Sequence, residues 1–564
     1  MSSEPNDKRE GLTEEAKPPF SQILARWFPL RTEACSFFLA SWLFLRLVGV
    51  TYLVAFTSLW LQIEGLAGDH GILPAREFLD LVRGSARFSG FLERFLAVPT
   101  VFWTGCGEGA LHAVCALGAL FSILVMIGLA VPVALLALWG LYLSLVSVCG
   151  DFLGFQWDNL LLEIGFLAMF LQPFRLRPSL ARDWVPSTAI LFLVRFLLFR
   201  LNFSSGVVKW RTENPSEPNV WTDLTALLYH YETQPLPTVF GWYAHQLPVW
   251  FQKTSVVVMF VIQLAVPFLL FAPRPLRLFA SGALVFLQIL IFITGNYCFF
   301  NVLTLALCLL LIDDRLMARI LPSRLLKKGS PATHLPGNAH ERPENEFPGY
   351  GGCMSAISPV EEFQTARWRR TARAILVSAA FGLLLVASLL QMGRTLRGRV
   401  EGFGPAAGFM RLIAPFRTVN TYGLFAHMTT SRPEIIVEGS RDGETWEAYE
   451  FKYKPGDLNH APVWAQPHQP RLDWQMWFAA LGSYRNNPWF VNFVYRLLQG
   501  TPEVLALLER NPFPDEPPRF VRAVMYDYHF TDFRERRETG AWWKRDNPRV
   551  YLPTVSLESF RRER

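Results

Sequence analysis

Between residues 37 and 312 the chain carries one apolar stretch after another, long enough to cross a lipid bilayer. The stretch FFLASWLFLRLVGVTYLVAFTSLWL at 37–61 holds one charge in 25 residues, and a membrane-spanning helix needs about 20 apolar residues. Because lipid cannot satisfy backbone hydrogen bonds, only helices and closed barrels span it, and runs this long indicate helices. Residues 403–564 hold no such stretch. We therefore predict an α-helical polytopic membrane bundle that carries a soluble module at its end.

The apolar stretches predict about nine spans or half-spans, at 38–61, 110–130, 131–149, 159–172, 188–207, 254–272, 278–295, 298–312 and 374–391. The fourth and eighth are short, which is typical of tilted partners, half-helices or re-entrant segments. The chain then divides into a cytoplasmic basic arm (1–36), a multi-span domain (37–312) with exoplasmic loops at 62–109 and 208–253, a basic, Pro/Gly-rich cytoplasmic linker (313–373), a last span (374–391) and an exoplasmic C-terminal module (403–564).

The distribution of Lys and Arg predicts which side of the membrane each loop faces. The N-terminal arm and the segments 173–187, 273–277 and 313–373 are basic and fall on one side, whereas the short loops 150–158 and 296–297 on the other side carry no Lys or Arg. That asymmetry places the N-terminus in the cytoplasm and the C-terminal module in a lumen or periplasm. Four arginines of the 62–109 loop depart from the pattern and are typical of an interfacial amphipathic helix over 74–96.

Composition also limits which classes of partner, cofactor and activity we expect. The net charge of +7 fits cytoplasmic loop charges, and since no basic-aromatic array is present we expect no nucleic-acid partner. The seven cysteines lie mostly in or beside apolar segments, where buried free thiols are typical, and none shows metal-ligand spacing. No nucleophile elbow, HExxH, phosphate-binding loop or dinucleotide fingerprint is present. We expect no cofactor and no metal, and an enzyme is less favoured.

Charged and amide side chains within apolar segments are costly and therefore informative. Asp158, Asn159 and Glu163 lie at the entry of the fourth segment, and Arg195 and Arg200 lie in the fifth. An ion pair between one of these carboxylates and one of these arginines would offset the desolvation of both. Three interpretations remain: a structural pair that pins helices together, a polar cavity for substrate or proton movement, and headgroup contact by snorkelling arginines.

The exoplasmic loop 208–253 contains a second group of interest, His230, Tyr231 and Glu232. A histidine and a carboxylate two residues apart could serve acid–base or metal chemistry. A metal site needs more ligands than the sequence offers nearby, so a structured loop with satisfied hydrogen bonds is the simpler interpretation.

The C-terminal module has a mixed pattern. Residues 433–457 hold two strand-like runs joined through 440–443 (SRDG), a hairpin signal. Residues 519–530 are a further predicted strand, and 473–510 has helical spacing. A helix is expected to begin near Thr501, with Pro502 at its first position. The module is therefore predicted to be mixed α/β.

Several motifs, in the same order along the chain, resemble the lipase maturation factor family. They are 138–146 (LWGLYLSLV), 155–167 (FQWDNLLLEIGFL), 230–235 (HYETQP), 295–296 (GN), 419–423 (VNTYG), 449–457 (YEFKYKPGD), 471–480 (RLDWQMWFAA), 511–513 (NPF), 540–543 (GAWW) and 553–557 (PTVSL). Each motif alone is weak, but together they extend from about residue 40 to 560 and are specific.

The resemblance implies a protein of the endoplasmic reticulum membrane that helps secreted lipases fold and assemble into active dimers. It implies that the lumenal module contacts the client, with these candidate contact residues: Asn420, Tyr422, Arg471, Asp473, Trp474, Trp477, Trp542 and Trp543. Animal members tend to have Cys where Tyr453 stands, so a thiol-based role is not expected here. A bacterial relative would place the chain in the inner membrane with a periplasmic C-terminus.

Three hypotheses of function follow. The leading one is a non-enzymatic maturation factor with secreted client proteins. The second is a membrane enzyme that modifies secreted proteins, loosely similar to vitamin K-dependent γ-carboxylase, with Glu163, His230 and Glu232 as acid–base groups. The third is a transporter built around the charged residues of the fourth and fifth segments, although no inverted repeat supports it.

Overall fold

The helices of the computed structural model follow the apolar segments of the sequence closely. The structure describes residues 36–88, 90–172, 176, 186–211, 219–320, 379–397 and 404–562. In the bundle the helices are α1 (Phe38–Trp60), α2 (Ile63–Ala67), α3 (Ala75–Gly84), α4 (Phe91–Ala97), α5 (Glu108–Ile127), α6 (Val131–Val148), α7 (Gln156–Ala168), α8 (Thr188–Trp210), α9 (Ala226–Thr233), α10 (Val239–His245), α11 (Val249–Phe260), α12 (Arg274–Thr294), α13 (Phe300–Leu309), α14 (Asp314–Ile320) and α15 (Ala379–Arg397).

Seven helices in the described part of the chain are long and apolar enough to cross a membrane: α1, α5, α6, α8, α11 with its continuation to Phe271, α12 and α15. Helix α11 changes to a π turn over Val261–Ala265 and then to a 3₁₀ helix over Val266–Phe271. The change coincides with Pro267, which has no backbone N–H to continue an α-helical ladder. The multi-span fold class is therefore confirmed.

The two segments predicted to be short are short. Helix α7 has 13 residues and α13 has 10, which at 1.5 Å per residue gives about 20 and 15 Å, less than the roughly 30 Å of a bilayer core. The arm (1–35), most of the basic 173–187 loop and most of the linker (321–378) lie outside the described residues. The prediction of a single amphipathic helix over 74–96 is wrong. The segment forms two helices, because α3 ends at Gly84 and α4 begins after Gly90.

Hydrogen bonds show which helix ends lie together. At one end of the bundle the Asp314 carboxylate accepts the backbone N–H groups of Phe38 and Leu39 at 3.0 and 2.9 Å, and Arg274 pairs with Asp313. At the other end Asn296, just before α13, donates to the carbonyl of Val463 in the C-terminal module at 2.8 Å. The chain therefore crosses from one end of the bundle to the other between 296 and 313, although α13 itself is short.

The C-terminal module combines small sheets with helices. Its helices are α16 (Ala407–Ile413), α17 (Arg471–Ala480), α18 (Pro488–Gln499), α19 (Pro502–Leu505), α20 (Phe533–Thr539) and α21 (Leu557–Arg562). Its strands are β1 (Pro433–Ser440), β2 (Glu447–Ala448), β3 (Glu450–Phe451), β4 (Leu508–Arg510), β5 (Phe520–Phe530) and β6 (Trp543–Val555). Four form an antiparallel sheet in the order β2-β1-β5-β6, and β3 pairs with β4.

The predicted hairpin and the predicted strand at 519–530 are confirmed as β1–β2 and β5. The turn between β1 and β2 is held by Asp442, whose Oδ1 accepts the backbone N–H groups of Glu444 and Thr445, both at 2.8 Å. Gly443 follows with a φ of +83°, a conformation that glycine adopts without strain. The sequence does not predict β6, because it is charged and holds Pro548. Both features are tolerated on an edge strand, which β6 is.

One apolar core runs from the bundle into the module. Tyr52 of α1, Leu160 of α7, Trp474 of α17 and Phe490 of α18 are at most 3% exposed and belong to the same packed cluster. At these residues the module therefore packs directly against the end of the bundle.

Candidate functional site

Helix α7 is the element on which the two halves of the described chain meet. Its two carboxylates, Asp158 and Glu163, are five residues apart, which turns them about 140° from each other on a helix of 3.6 residues per turn. They therefore face different neighbours. Asp158 stands in the first turn and accepts the backbone N–H groups of Gly154 and Phe155, both at 3.2 Å, so it also caps the helix N-terminus.

Asp158 forms a buried ion pair with Arg471, the first residue of α17. Arg471 Nη1 and Nη2 donate to Asp158 Oδ2 and Oδ1 at 2.7 and 2.8 Å, and the two residues are 1% and 0% exposed. Tyr142 of α6 donates its hydroxyl to Asp158 Oδ1 at 2.6 Å, and Arg471 Nη1 also donates to the carbonyl of Phe152 at 3.0 Å. Burial alone lowers the pKa of Arg471, but the Asp158 carboxylate raises it above the usual value, so Arg471 stays protonated.

Glu163 forms the second buried ion pair. Its carboxylate pairs with Arg200 of α8, and its Oε2 accepts the backbone N–H of Asn420 at 2.9 Å and the hydroxyl of Tyr422 at 2.8 Å. Arg200 Nη1 donates to the carbonyl of Asn420 at 3.1 Å. Burial raises the pKa of Tyr422, and Glu163 raises it further, so this phenol remains a donor at neutral pH. Asn420 Nδ2 also donates to the carbonyl of Asn159 at 3.2 Å.

The sequence anticipated that charged residues of the fourth and fifth segments would pair. The Glu163–Arg200 pair lies between those segments, but the partner of Asp158 comes from the C-terminal module instead. Arg195 donates through Nε and Nη2 to the carbonyl of Leu310 at 3.1 and 2.8 Å, and its guanidinium lies 4.3 Å from the ring centroid of Phe37. Arg195 thus holds the end of α13 rather than a carboxylate of α7.

His230 and Glu232 of α9 serve different contacts. The Glu232 carboxylate accepts the backbone N–H of Phe530 at 3.0 Å and lies 3.4 Å from Nδ1 of His529 and 3.8 Å from Nε2 of His245. His230 Nε2 lies 3.3 Å from the Tyr297 hydroxyl. Burial lowers the pKa of His230 to about 4, so it is neutral at pH 7. Tyr231, between them, packs its ring edge-on against His230 and adjoins the Trp242 cluster.

Arg432 is a functional-site candidate that sequence reasoning missed. It is fully buried, and its guanidinium donates to the backbone carbonyls of Glu232, Gln234 and Pro235 and to Glu434 Oε1. It fastens the start of β1 to the segment after α9. An arginine before a proline at a strand start has no local signature of this role, so only the fold reveals it.

Six of the eight residues expected to contact a client are buried at 7% exposure or less: Asn420, Tyr422, Arg471, Asp473, Trp474 and Trp543. Trp477 and Trp542 are half-buried. Buried side chains present no surface to a partner in this conformation. The physical reason is that each fills a place at the junction or in the module core.

The individual contacts bear this out. Asp473 Oδ1 accepts the backbone N–H groups of Tyr453 and Lys454 at 2.8 and 2.9 Å, and burial raises the pKa of Asp473 to about 6. Trp477 donates its indole N–H to the carbonyl of Thr233 at 2.9 Å. The ring of Trp543 lies 4.4 Å from that of Phe530, that of Trp474 lies 4.6 Å from that of Trp157, and Arg536 stacks 3.6 Å from the ring of Trp542.

Within the described ranges, no group of three His, Cys, Asp or Glu side chains is arranged to hold a metal ion. The five cysteines that the structure describes are free thiols, four of them buried. Cys35 and Cys353 lie outside the described residues.

The fold and the junction define a polytopic membrane protein whose α/β module is bonded to one end of its helix bundle. Residues 39–319 match the lipase maturation factor transmembrane domain, and residues 418–553 match the lipase maturation factor C-terminal domain. The chain belongs to the lipase maturation factor family. No solved structure matches it.

Named relatives match most of the chain. Lipase maturation factor 2 of Gallus gallus is 40% identical over 588 residues, which covers 91% of this chain and 81% of the relative. Lipase maturation factor 2 of Homo sapiens is 39% identical, with 91% and 82% covered. Lipase maturation factor 1 of Bos taurus is 32% identical, with 98% and 95% covered.

Proposed function

We propose that this protein is a non-enzymatic maturation factor of the endoplasmic reticulum membrane that assists the folding and assembly of secreted proteins, with lipases as the clients. The relatives are named maturation factors and not enzymes, which supports the non-enzymatic role. The comparisons lend no support to a transporter or to a protein-modifying enzyme. The contacts of α7 agree, since its two carboxylates, Asp158 and Glu163, are each paired with an arginine.

The observation that carries the proposal is the buried junction on α7. Two ion-pair nodes with at most 7% exposure fix residues 420–422 and α17 to the bundle. A module held at the membrane surface meets clients that are confined to the same surface, and anchoring raises the effective concentration of weak contacts. We propose that the buried candidates Asn420, Tyr422 and Arg471 act by holding the module in place, whereas clients meet its exposed surface.

We propose that the C-terminal module lies in the lumen. The basic segments 173–187 and 313–373 belong in the cytoplasm by the positive-inside rule. The module bonds to the opposite helix ends, those near Ser58, Lys209 and Asn296. A glycosylation acceptor appended after residue 564 should therefore be modified in cells. An acceptor that stays unmodified, while one inserted in the 62–109 loop is modified, would reverse this assignment.

The functional test is rescue of lipase secretion. Cells that lack their own maturation factor are given a secreted lipase together with the full chain, and active lipase in the medium is measured. Arg471→Gln should reduce this activity while the protein remains in the membrane, and Arg549→Gln, an arginine of an exposed ion pair, should not. Failure of the unaltered full chain to raise the activity of any lipase tested would refute lipases as clients.

A further inference from the structure

A large cavity lies where the bundle meets the C-terminal module. Its volume is about 860 Å³, near the upper end of the roughly 300–1,000 Å³ typical of small-molecule sites. Helices α8, α11 and α12 supply one part of the wall, α9 a second, and α17 with residues 423–429 a third. We call this space the junction cavity.

The wall of the junction cavity is mainly apolar and reaches the outer face of the bundle. Ile262 and Leu287 are buried within it, whereas Phe251, Phe286 and Leu290 line it and are 42%, 54% and 44% exposed. These exposed side chains belong to α11 and α12, two helices that can cross a membrane. The cavity therefore borders the surface that the bundle presents to lipid.

Two indole groups in the wall have no acceptor. Trp157 of α7 and Trp474 of α17 are 5% and 3% exposed, and neither indole Nε1 has a hydrogen-bond partner within the described part of the chain. An indole N–H can only donate, and a buried donor left unpaired costs roughly 1–3 kcal/mol. Their rings lie 4.6 Å apart, and both residues line the cavity.

A buried lysine also lines the cavity. Lys209, in the last turn of α8, is 3% exposed and donates to the carbonyls of Leu424 and Ser205 at 2.7 and 3.0 Å and to Gln263 Oε1 at 3.3 Å. Among the residues that the structure describes, no carboxylate pairs with it. A desolvated ammonium bonded only to neutral oxygens is uncompensated in charge.

The backbone at 423–424 contacts both the start of α7 and the end of α8. The N–H of Gly423 donates to the side chain of Gln156 at 3.2 Å, and a Cβ built on Gly423 would lie 3.2 Å from Val208. The next carbonyl, that of Leu424, accepts from Lys209. Lys209, Trp157 and Trp474 all line the cavity, and we call these three residues its polar corner.

We propose that the junction cavity binds one membrane lipid with an anionic, acceptor-rich headgroup. The headgroup lies against Lys209 and the indole N–H groups of Trp157 and Trp474, and the acyl chains lie along α11 and α12. A lipid matches both parts of the cavity, because it has negative oxygens for the polar corner and hydrocarbon chains for the apolar wall. The side opening between exposed residues of spanning helices favours a bilayer lipid over a segment of a secreted client. This inference does not depend on the proposed function.

The test uses the purified full chain in nanodiscs that contain a photoreactive phosphatidylserine with a diazirine in one acyl chain. After irradiation, mass spectrometry should find label on cavity peptides that contain Met259 and Leu287. Excess unlabelled phosphatidylserine should displace it, and excess phosphatidylcholine should not. Lys209→Gln should lower this labelling about tenfold, whereas Lys253→Gln, an exposed lysine on α11, should leave it unchanged.

A second variant guards against misfolding of the lysine variant. Met259→Trp adds volume to the wall while the polar corner stays intact, so it should reduce labelling in a protein that elutes and melts as the unaltered chain does. Equal cavity labelling by phosphatidylserine and phosphatidylcholine, unaffected by either substitution, would overturn the proposal. So would label confined to the outward faces of α11 and α12, or displacement by an apolar client peptide but not by lipid.

Discussion

Arg471 and Asp158 form a two-pronged ion pair across the boundary between the C-terminal module and the bundle. The two guanidinium–carboxylate distances are 2.7 and 2.8 Å, neither residue is more than 1% exposed, and 313 positions separate them in the chain. With Tyr142 and the backbone N–H of Gly154 also bonded to the carboxylate, each charge is compensated. This pair fixes the position of α17 relative to the bundle.

Removal of one charge of this pair should be strongly destabilising. Arg471→Gln leaves Asp158 charged and buried, and the loss of one partner of a buried pair costs about 3–5 kcal/mol. We expect a large drop in the thermal unfolding midpoint of the purified protein in detergent.

Arg549→Gln is the matched control for this variant. Arg549 forms a similar two-pronged pair with Asp527, at 2.8 and 2.7 Å, but in an exposed place on the sheet. Its loss should cost about 0–1 kcal/mol. Equal effects of the two substitutions would show that burial does not determine how much the Asp158–Arg471 pair contributes to stability.

The Tyr422 hydroxyl should contribute to stability through its bond to Glu163. Tyr422→Phe removes one donor from a buried carboxylate and should cost about 1–3 kcal/mol. Tyr449→Phe is the matched change, because the Tyr449 hydroxyl is buried without a hydrogen-bond partner in the described structure and should be nearly neutral. Chemical denaturation in detergent measures both. A neutral Tyr422→Phe would mean that water replaces the lost donor.

Gly165 should be required for the approach of α7 to α1. A Cβ added there would collide with the Tyr52 side chain, whose hydroxyl donates to the carbonyl of Leu161 at 3.1 Å. Gly165→Ala should therefore destabilise the protein by about 1–3 kcal/mol through overpacking. At Gly140 of α6 an added Cβ meets open space, so Gly140→Ala should be neutral or stabilising by up to about 1 kcal/mol. A tolerated Gly165→Ala would show that Tyr52 moves freely.

Acidification should loosen the junction at His468. Its Nδ1 lies 2.9 Å from the Ser58 hydroxyl at the end of α1, and burial, with Arg471 and Lys452 nearby, lowers its pKa from 6.5 to about 4. Between pH 6.5 and 4 the unfolded state binds a proton that the folded state does not, so the free energy of unfolding falls as pH falls.

A comparison of the unaltered chain with His468→Gln isolates this effect. The unaltered chain should lose about 1–3 kcal/mol more than the variant between pH 7 and pH 4.5. Other titrating groups act equally in both proteins. Parallel pH profiles of the thermal midpoint would show that His468 is not held neutral by the fold.

The local features of the sequence predicted the elements well. Spans, the β1–β2 hairpin, β5 and most of the helical stretch at 473–510 each follow from apolar length, periodicity or turn residues within a short window. The end of that stretch, Leu508–Arg510, is strand β4 instead of helix. The failures also have local causes. The charges and Pro548 of β6 conceal an edge strand, and Gly84 and Gly90 interrupt a pattern that resembled one amphipathic helix.

The candidate site was only partly predictable. The cost of burying Asp158, Glu163 and Arg200 marked them as paired residues, because that cost depends only on residue type and apolar context. Their partners could not be assigned, because Arg471 and Tyr422 lie more than 250 positions away from α7. Three of the five aromatic residues expected at a client surface, Tyr422, Trp474 and Trp543, are instead buried, since an aromatic motif looks the same in a core and on a surface.

By itself, then, the sequence determined that this protein crosses the membrane many times, carries an α/β module and belongs with the maturation factors. These properties follow from apolar length, local periodicity and motif order. Only the tertiary structure decided that α7 joins the two parts, that Arg432 and Arg471 hold the module, and that an apolar cavity with a buried lysine lies between them. Such features arise from contacts between distant segments, whose geometry is set when the core packs.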